Sequence, residues 1–133
     1  MKRLMGILTM LCSLFACNAQ DEGFTSLSVE DYAQAIEDTT IVRLDVRTAE
    51  EYAEGHIANA LNIDVLKDDF EQVAVATLPK DKTIAVNCRS GKRSKNAARI
   101  LVKNGFKVIE LDSGYNGWVS KAPDDARNAS GNL

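Results

Sequence analysis

Between residues 24 and 121 the chain alternates two kinds of segment, and this alternation limits its possible folds more than any other feature. Strand-like runs fall at Phe24-Thr25-Ser26-Leu27, Ile41 to Val46, Ala60 to Ile63, Thr83 to Asn87 and Lys107 to Leu111. Between them lie segments with helix signals. Ser28 with Asp31 three residues on opens a helix that runs to about Ile36. Thr48 caps a helix that carries Glu50, Glu51 and Tyr52 and ends near Gly55. Asp64 and Lys67 to Ala76 predict another, ended by Pro79 and the Lys80-Asp81 turn. A fourth runs to Lys103 and stops at Asn104-Gly105, and Gly114 to Lys121 forms a last short one. Strands and helices alternating through short links call for an α/β domain: an open, mainly parallel five-stranded sheet with helices on both faces.

Within that frame, Asn87-Cys88-Arg89-Ser90-Gly91-Lys92-Arg93-Ser94 is the segment with the most chemistry. The run Thr83-Ile84-Ala85-Val86 reads as a buried strand, and Ala97, Ala98, Ile100, Leu101 and Val102 form an apolar helical face beyond the loop, so Cys88 sits at a strand-to-helix turn. Unpaired N–H groups converge at such a turn, and the helix dipole adds partial positive charge there. Arg89, Lys92 and Arg93 add formal charges. Together these features favour thiolate, since such surroundings bring a cysteine pKa from about 8.5 to ~3.5–7.5. A cysteine can also merely fill space at a strand end, but three cations within five residues do not belong beside a packing thiol. Ligands of open parallel sheets bind beyond the carboxyl ends of the strands, where Cys88 lies.

The loop resembles the active-site loop of the rhodanese sulfurtransferases, in which a cysteine opens a six-residue turn. The resemblance extends upstream to Ile41-Val42-Arg43-Leu44-Asp45-Val46-Arg47-Thr48-Ala49-Glu50-Glu51-Tyr52 and Gly55-His56-Ile57-Ala58-Asn59-Ala60-Leu61-Asn62-Ile63, and downstream to Gly114-Tyr115-Asn116-Gly117-Trp118. It covers residues 24–121 in family order and implies a rhodanese-like fold and a thiosulfate sulfurtransferase type of activity. The Cys88 thiolate would attack the sulfane sulfur of an anionic donor such as thiosulfate, and the resulting persulfide would pass its sulfur to cyanide or a thiol. No metal or organic cofactor is implied, because the sulfur is held covalently.

Roles in the loop follow from residue type. Gly91 lets the backbone turn tightly around the sulfur. Arg89 and Arg93 suit the orientation of an oxyanion donor, whereas Lys92 reads equally well as a solvated charge. Ser90 and Ser94 can donate hydroxyls or cap the helix. The resemblance implies that Asp45 and Arg47 brace neighbouring loops and that His56, the single histidine, makes a structural hydrogen bond. Trp118 reads as a core anchor. The mechanism requires a sulfur that solvent can reach.

Residues 1–16 read as a signal peptide: Lys2 and Arg3 precede an apolar run, Leu4 to Phe15, too short to span a bilayer. Leu14-Phe15-Ala16-Cys17 resembles the bacterial lipobox, with Cys17 as the lipidated residue and residues 17–23 as a tether; cleavage after Ala19 is the alternative. Residues 24–121 then form the domain and residues 122–133 a flexible tail. The expected product is a monomeric periplasmic or cell-envelope lipoprotein that meets the membrane only through its anchor. Cleavage before Cys17 removes two of the 16 basic residues and none of the 19 acidic ones, so the net charge becomes 14 − 19 = −5. A chain so acidic offers no footprint for nucleic acid. Cleavage also removes Cys12, and lipidation consumes Cys17, which leaves Cys88 as the free thiol.

Two rival functions differ in class. Cysteine phosphatases and arsenate reductases place arginine six positions after the cysteine, but here that position is Ser94 and the arginine comes one residue early, at Arg93. The shorter cradle suits sulfur better than a tetrahedral phosphate. A persulfide carrier or sensing module without turnover is the non-enzymatic rival.

Overall fold

The computed structural model describes residues 22–123. Ten elements follow in strict alternation: β1 (Phe24–Leu27), α1 (Val29–Ala35), β2 (Val42–Asp45), α2 (Ala49–Glu54), β3 (Leu61–Asn62), α3 (Phe70–Thr77), β4 (Thr83–Asn87), α4 (Lys92–Lys103), β5 (Lys107–Leu111) and α5 (Gly114–Lys121). The five strands form one sheet in the order β1-β5-β4-β2-β3, and every neighbouring pair is parallel. This is the α/β architecture the alternation predicts.

Strand side chains alternate between faces, and each face buries a different helix pair. Ile84 and Val86 of β4 point with Leu44 and Val108 toward Phe70 and Ala74 of α3 and Ala97, Ala98 and Leu101 of α4. Ala85, between them in sequence, faces the opposite layer with Val29, Tyr32 and Ala33 of α1 and Trp118 of α5. Trp118 is 1% exposed and meets the Tyr32 ring edge-on at 6.1 Å, a core position.

Local signals set the helix starts. The Ser28 side chain accepts from Asp31 N, while Thr48 and Glu51 form a reciprocal capping box on α2. Three predicted boundaries shift. Strand β2 is shorter than Ile41 to Val46, because Ile41 N donates to Asp38 O in the preceding turn. The third strand is Leu61–Asn62 rather than Ala60 to Ile63, yet Ile63 N and Val65 N still donate to Asp45 O and Val46 O alongside β2. The third helix starts at Phe70, because Asp64 first closes a turn that accepts from Leu66 N at 2.9 Å, and i to i+3 bonds fill residues 64–70. The expected signal peptide, Cys17 and all of the tail beyond Pro123 lie outside the described residues.

Candidate active site

Strands β2 and β4 lie side by side with Asp45 opposite Asn87, so the two loops that leave their carboxyl ends are neighbours. Val46 N donates to Asn87 O at 2.9 Å and ties the two exits together. Asp45, Arg47 and Cys88 are thereby gathered at one end of the sheet.

The β4 loop is built mostly from backbone. Cys88 follows Asn87 directly, and Gly91 turns the chain into α4 at φ +104°. A Cβ at Gly91 would come within 2.0 Å of Asp112 O, so glycine is demanded both by the positive φ and by the close approach. The start of α5 then closes over the loop: Tyr115 N donates to Cys88 O at 2.8 Å and Asn116 N to Arg89 O at 3.1 Å. Gly114, at φ +67°, lies so close to the loop that a Cβ there would sit 2.3 Å from Arg89 O. The closing sequence segment is thus the wall against which the cysteine loop is pressed.

Cys88 Sγ has two polar neighbours. Gly91 N donates to it at 3.1 Å, and the thiol donates to Ser94 Oγ at 3.4 Å. Of the converging amides expected at the turn, one is within bonding distance, and a hydroxyl from the first turn of α4 provides the second contact. The expectation of an open sulfur is corrected: Cys88 is 0% exposed. Cys88 belongs to the buried cluster that includes Val46, Val86, Ala97 and Ala98, so it packs at the edge of the core beneath the loop.

The cations separate by partner. Arg89 and Lys92 are exposed and form none of the ion pairs among the described residues. Arg93 forms a two-pronged pair with Glu51, Nη1 to Oε1 at 2.8 Å and Nη2 to Oε2 at 3.0 Å, so its guanidinium is aimed at α2. The Arg93 hydrogen bonds hold the Glu51 carboxyl down at about 2, with help from Thr48 N, and the same pairing raises Arg93. Ser90 is exposed, whereas Ser94 is fully buried.

Asp45 and Arg47 form a different kind of unit. Arg47 Nε and Nη2 grip the Asp45 carboxylate at 2.7–3.1 Å, Arg47 N donates to Asp45 Oδ1 at 3.0 Å, and Nη2 also reaches Gly55 O at 2.7 Å. The guanidinium carbon lies 4.4 Å from the centre of the Tyr115 ring, which joins this brace to α5. His56 Nδ1 meets Tyr52 O at 2.8 Å and its ring stacks on Tyr52, and it is not among the polar contacts of the sulfur.

Sequence reasoning missed Glu110. This β5 residue is 0% exposed and accepts from Ser94 Oγ at 2.5 Å and Ser26 Oγ at 2.6 Å, with Lys95 Nζ at 3.4 Å. The available signal was a lone acid inside the strand run Lys107-Val108-Ile109-Glu110-Leu111 of a sheet buried on both faces. Locally, Glu51 is marked only as a helix-start acid, because its partner is 42 positions away.

A cleft of about 300 Å³ opens beside the loop, lined by Arg47, Glu51, Glu54, Arg89, Tyr115 and Val119 among others. Arg89 of the loop stands at its wall, and Cys88 is not among the residues that line it.

The rhodanese-like domain model matches residues 28–121, and the chain belongs to that family. It is 38% identical over 81 residues to a Bacillus subtilis protein named "Putative sulfurtransferase YtwF", an alignment covering 61% of this chain and 76% of that one. It is 33% identical over 102 residues to the Arabidopsis thaliana mitochondrial protein HIGH ARSENIC CONTENT 1, covering 65% of this chain and 60% of that protein's length. Among solved structures, a rhodanese-related protein from Thermoplasma volcanium superposes with a TM-score of 0.64 at 30% identity, covering 74% of this chain and 95% of that one. The fold and the rhodanese-like family are therefore those the sequence motifs implied.

Proposed function

We propose that the chain is a thiosulfate-type sulfurtransferase that works through a Cys88 persulfide. One observation carries the reading: Cys88 Sγ sits in a backbone cradle at the amino end of α4, with Gly91 N–H 3.1 Å away and a hydroxyl on its other side. Both groups can donate to a sulfur that becomes negative. The sulfane sulfur of an anionic donor enters from the cleft, guided by Arg89. Lys92 adds charge at the loop, while Arg93 keeps α2 against α4. Because Cys88 is covered, entry requires the loop to open. Attack forms a Cys88–S–S⁻ persulfide and releases sulfite, and a thiol or cyanide acceptor removes the outer sulfur. Asp45 and Arg47 support the site without touching the sulfur.

The narrow cradle argues against phosphate or arsenate chemistry, since the arginine such chemistry needs is here bound to Glu51. Residues 1–16 are proposed as an export signal and Cys17 as a lipid-bearing residue, which would hold the enzyme at the cell envelope. Intact-mass measurement of the mature protein after incubation with thiosulfate tests both parts. A gain of one sulfur, absent in Cys88→Ser, is expected, and the starting mass reveals any acyl chains. Failure of pre-reduced protein, freed of reductant before thiosulfate is added, to load sulfur excludes this activity. Repeated thiocyanate formation from thiosulfate and cyanide distinguishes an enzyme from a carrier that loads once and stalls.

A further inference from the structure

We propose that Glu110 is the proton acceptor for Cys88, acting through Ser94, and that it holds the proton while the sulfur carries negative charge. The inference rests on the sulfur-transfer reading and adds a residue that neither the motifs nor the family match assigns.

The direction of the hydrogen bonds is the starting point. Ser94 has one hydroxyl proton, and at 2.5 Å from Glu110 Oε2 that proton lies in a short O–H···O contact to a carboxylate. Ser94 Oγ therefore presents a lone pair to Cys88, which matches the thiol donating to it at 3.4 Å. The resting polarity is S–H···O–H···O⁻. In that arrangement Ser94 cannot stabilise an anionic sulfur. It can do so only if the chain reverses, with the Cys88 proton moving to Ser94 Oγ and the Ser94 proton moving to Glu110 Oε2. The sulfur then faces two donors, Ser94 O–H and Gly91 N–H.

The surroundings make this internal route the available one. Cys88 has no exposed surface, and the single histidine is bonded to Tyr52 O. The charged and titratable groups facing Glu110 are Lys95 of α4 at 3.4 Å, itself held by Asp112 at 2.8 Å, and the Tyr32 phenol of α1, which burial pushes up, with smaller contributions from the Asp45 charge and, last, the Glu110 charge. Ser26 of β1 is the neutral partner at 2.6 Å. Lys95 stabilises the carboxylate but is drawn outward to Asp112, and two anions joined through one hydroxyl oppose each other. One proton shared between Cys88 and Glu110 resolves that conflict.

The transfer balances. A Cys88 thiol, a Glu110 carboxylate and thiosulfate become a Cys88 persulfide anion, a Glu110 carboxylic acid and sulfite. The Cys88 Sγ–sulfane bond forms, the sulfane–sulfonate S–S bond breaks with its electron pair leaving on sulfite, and the proton stays on Glu110. When an acceptor such as cyanide takes the outer sulfur as thiocyanate, the Cys88 thiolate is left and recovers its proton from Glu110 through Ser94.

Glu110→Gln preserves an acceptor oxygen for Ser94 but cannot take a proton, so it separates proton transfer from packing. Persulfide loading from thiosulfate, followed by rapid quench and intact mass, is measured from about pH 6 to about pH 9. The wild type should change little over this range. Glu110→Gln should load about 10²-fold more slowly at the acid end and gain about tenfold per pH unit, because the thiol must now lose its proton to solvent. Ser94→Ala, which cuts the same chain one atom earlier, should show the same slope. Iodoacetamide alkylation of Cys88 should repeat both profiles without any sulfur donor. A Glu110→Gln profile that superimposes on the wild type overturns the proposal. So does a wild-type rate that itself climbs about tenfold per pH unit, which decides the matter even if the variants fail to fold. A wild type that takes up no sulfur, yet shows flat alkylation against a steep Glu110→Gln profile, would refute sulfur transfer and leave the proton link standing.

Discussion

The two loops that leave the carboxyl ends of β2 and β4 lie side by side but are built on opposite principles. The β2 loop is held by side-chain charge: Asp45 and Arg47 close on each other, Arg47 adds Gly55 O, and Thr48 and Glu51 cap the helix that follows. The β4 loop is held by backbone, with Gly91 and Gly114 allowing close approaches and the first N–H groups of α5 taking the carbonyls of Cys88 and Arg89. The contrast has a chemical reason. In the proposed mechanism a negative sulfur needs donors and no acid in direct contact: Gly91 N–H reaches Cys88, Glu110 reaches it only through Ser94, and Glu51 is engaged by Arg93. The bracing loop has no such restriction and can use a buried ion pair.

The two loops should fail in different ways. The largest effect falls on chemistry alone: Cys88→Ser should reduce thiocyanate formation to background while the thermal melting curve stays close to that of the wild type. Near-normal turnover in that variant would remove the β4 loop from the mechanism. The next largest falls on stability. Arg47→Ala leaves Asp45 buried without its partner and should cost about 3–5 kcal/mol in urea unfolding; a loss below about 1 kcal/mol would show that Asp45 finds other donors. Gly114→Ala should cost about 1–3 kcal/mol through its positive φ and the contact with Arg89 O, and should also lower activity, because the loop must move to admit the Cβ. Unchanged turnover in that variant would separate the wall from the cradle.

The smallest effect belongs to the bridge between the loops. The Arg93–Glu51 pair is only partly buried, with side chains 24% and 22% exposed, so Arg93→Ala should cost about 1 kcal/mol or less at neutral pH. Its mark is in the pH dependence. Glu51 is depressed from 4.5 to about 2, so its contribution is present above the ordinary carboxylate range and is lost as pH falls toward 2. The wild-type and Arg93→Ala stability curves should therefore converge between about pH 4.5 and about pH 2. Parallel curves would mean that Arg93 does not control Glu51. A thiosulfate KM raised tenfold or more in Arg93→Ala would return this arginine to donor binding.

Much of the fold was legible because its signals are local. Thr48 and Glu51 are three residues apart, Gly105 follows the last turn of α4, and the apolar positions of β4 and α4 repeat at short periods. The start of the third helix is not legible in the same way, since Asp64 suits a cap but closes a tight turn instead. For the site, the position of Cys88 at a strand-to-helix turn was readable, as was the need for glycine at 91. The partner of Arg93, the role of Ser94 and the existence of a buried Glu110 were not, because each depends on a residue from another strand or helix.

The sequence by itself determined the order of strands and helices, the turn that holds the cysteine and the charges around it, because hydrogen bonding and side-chain periodicity act over a few residues. Only the tertiary structure decided which charges stay free and which are paired, that Cys88 is covered, and that Ser94 links it to Glu110. Those outcomes depend on contacts such as Ser26 to Glu110, 84 positions apart in the chain, which exist only once the parallel sheet has brought β1 beside β5.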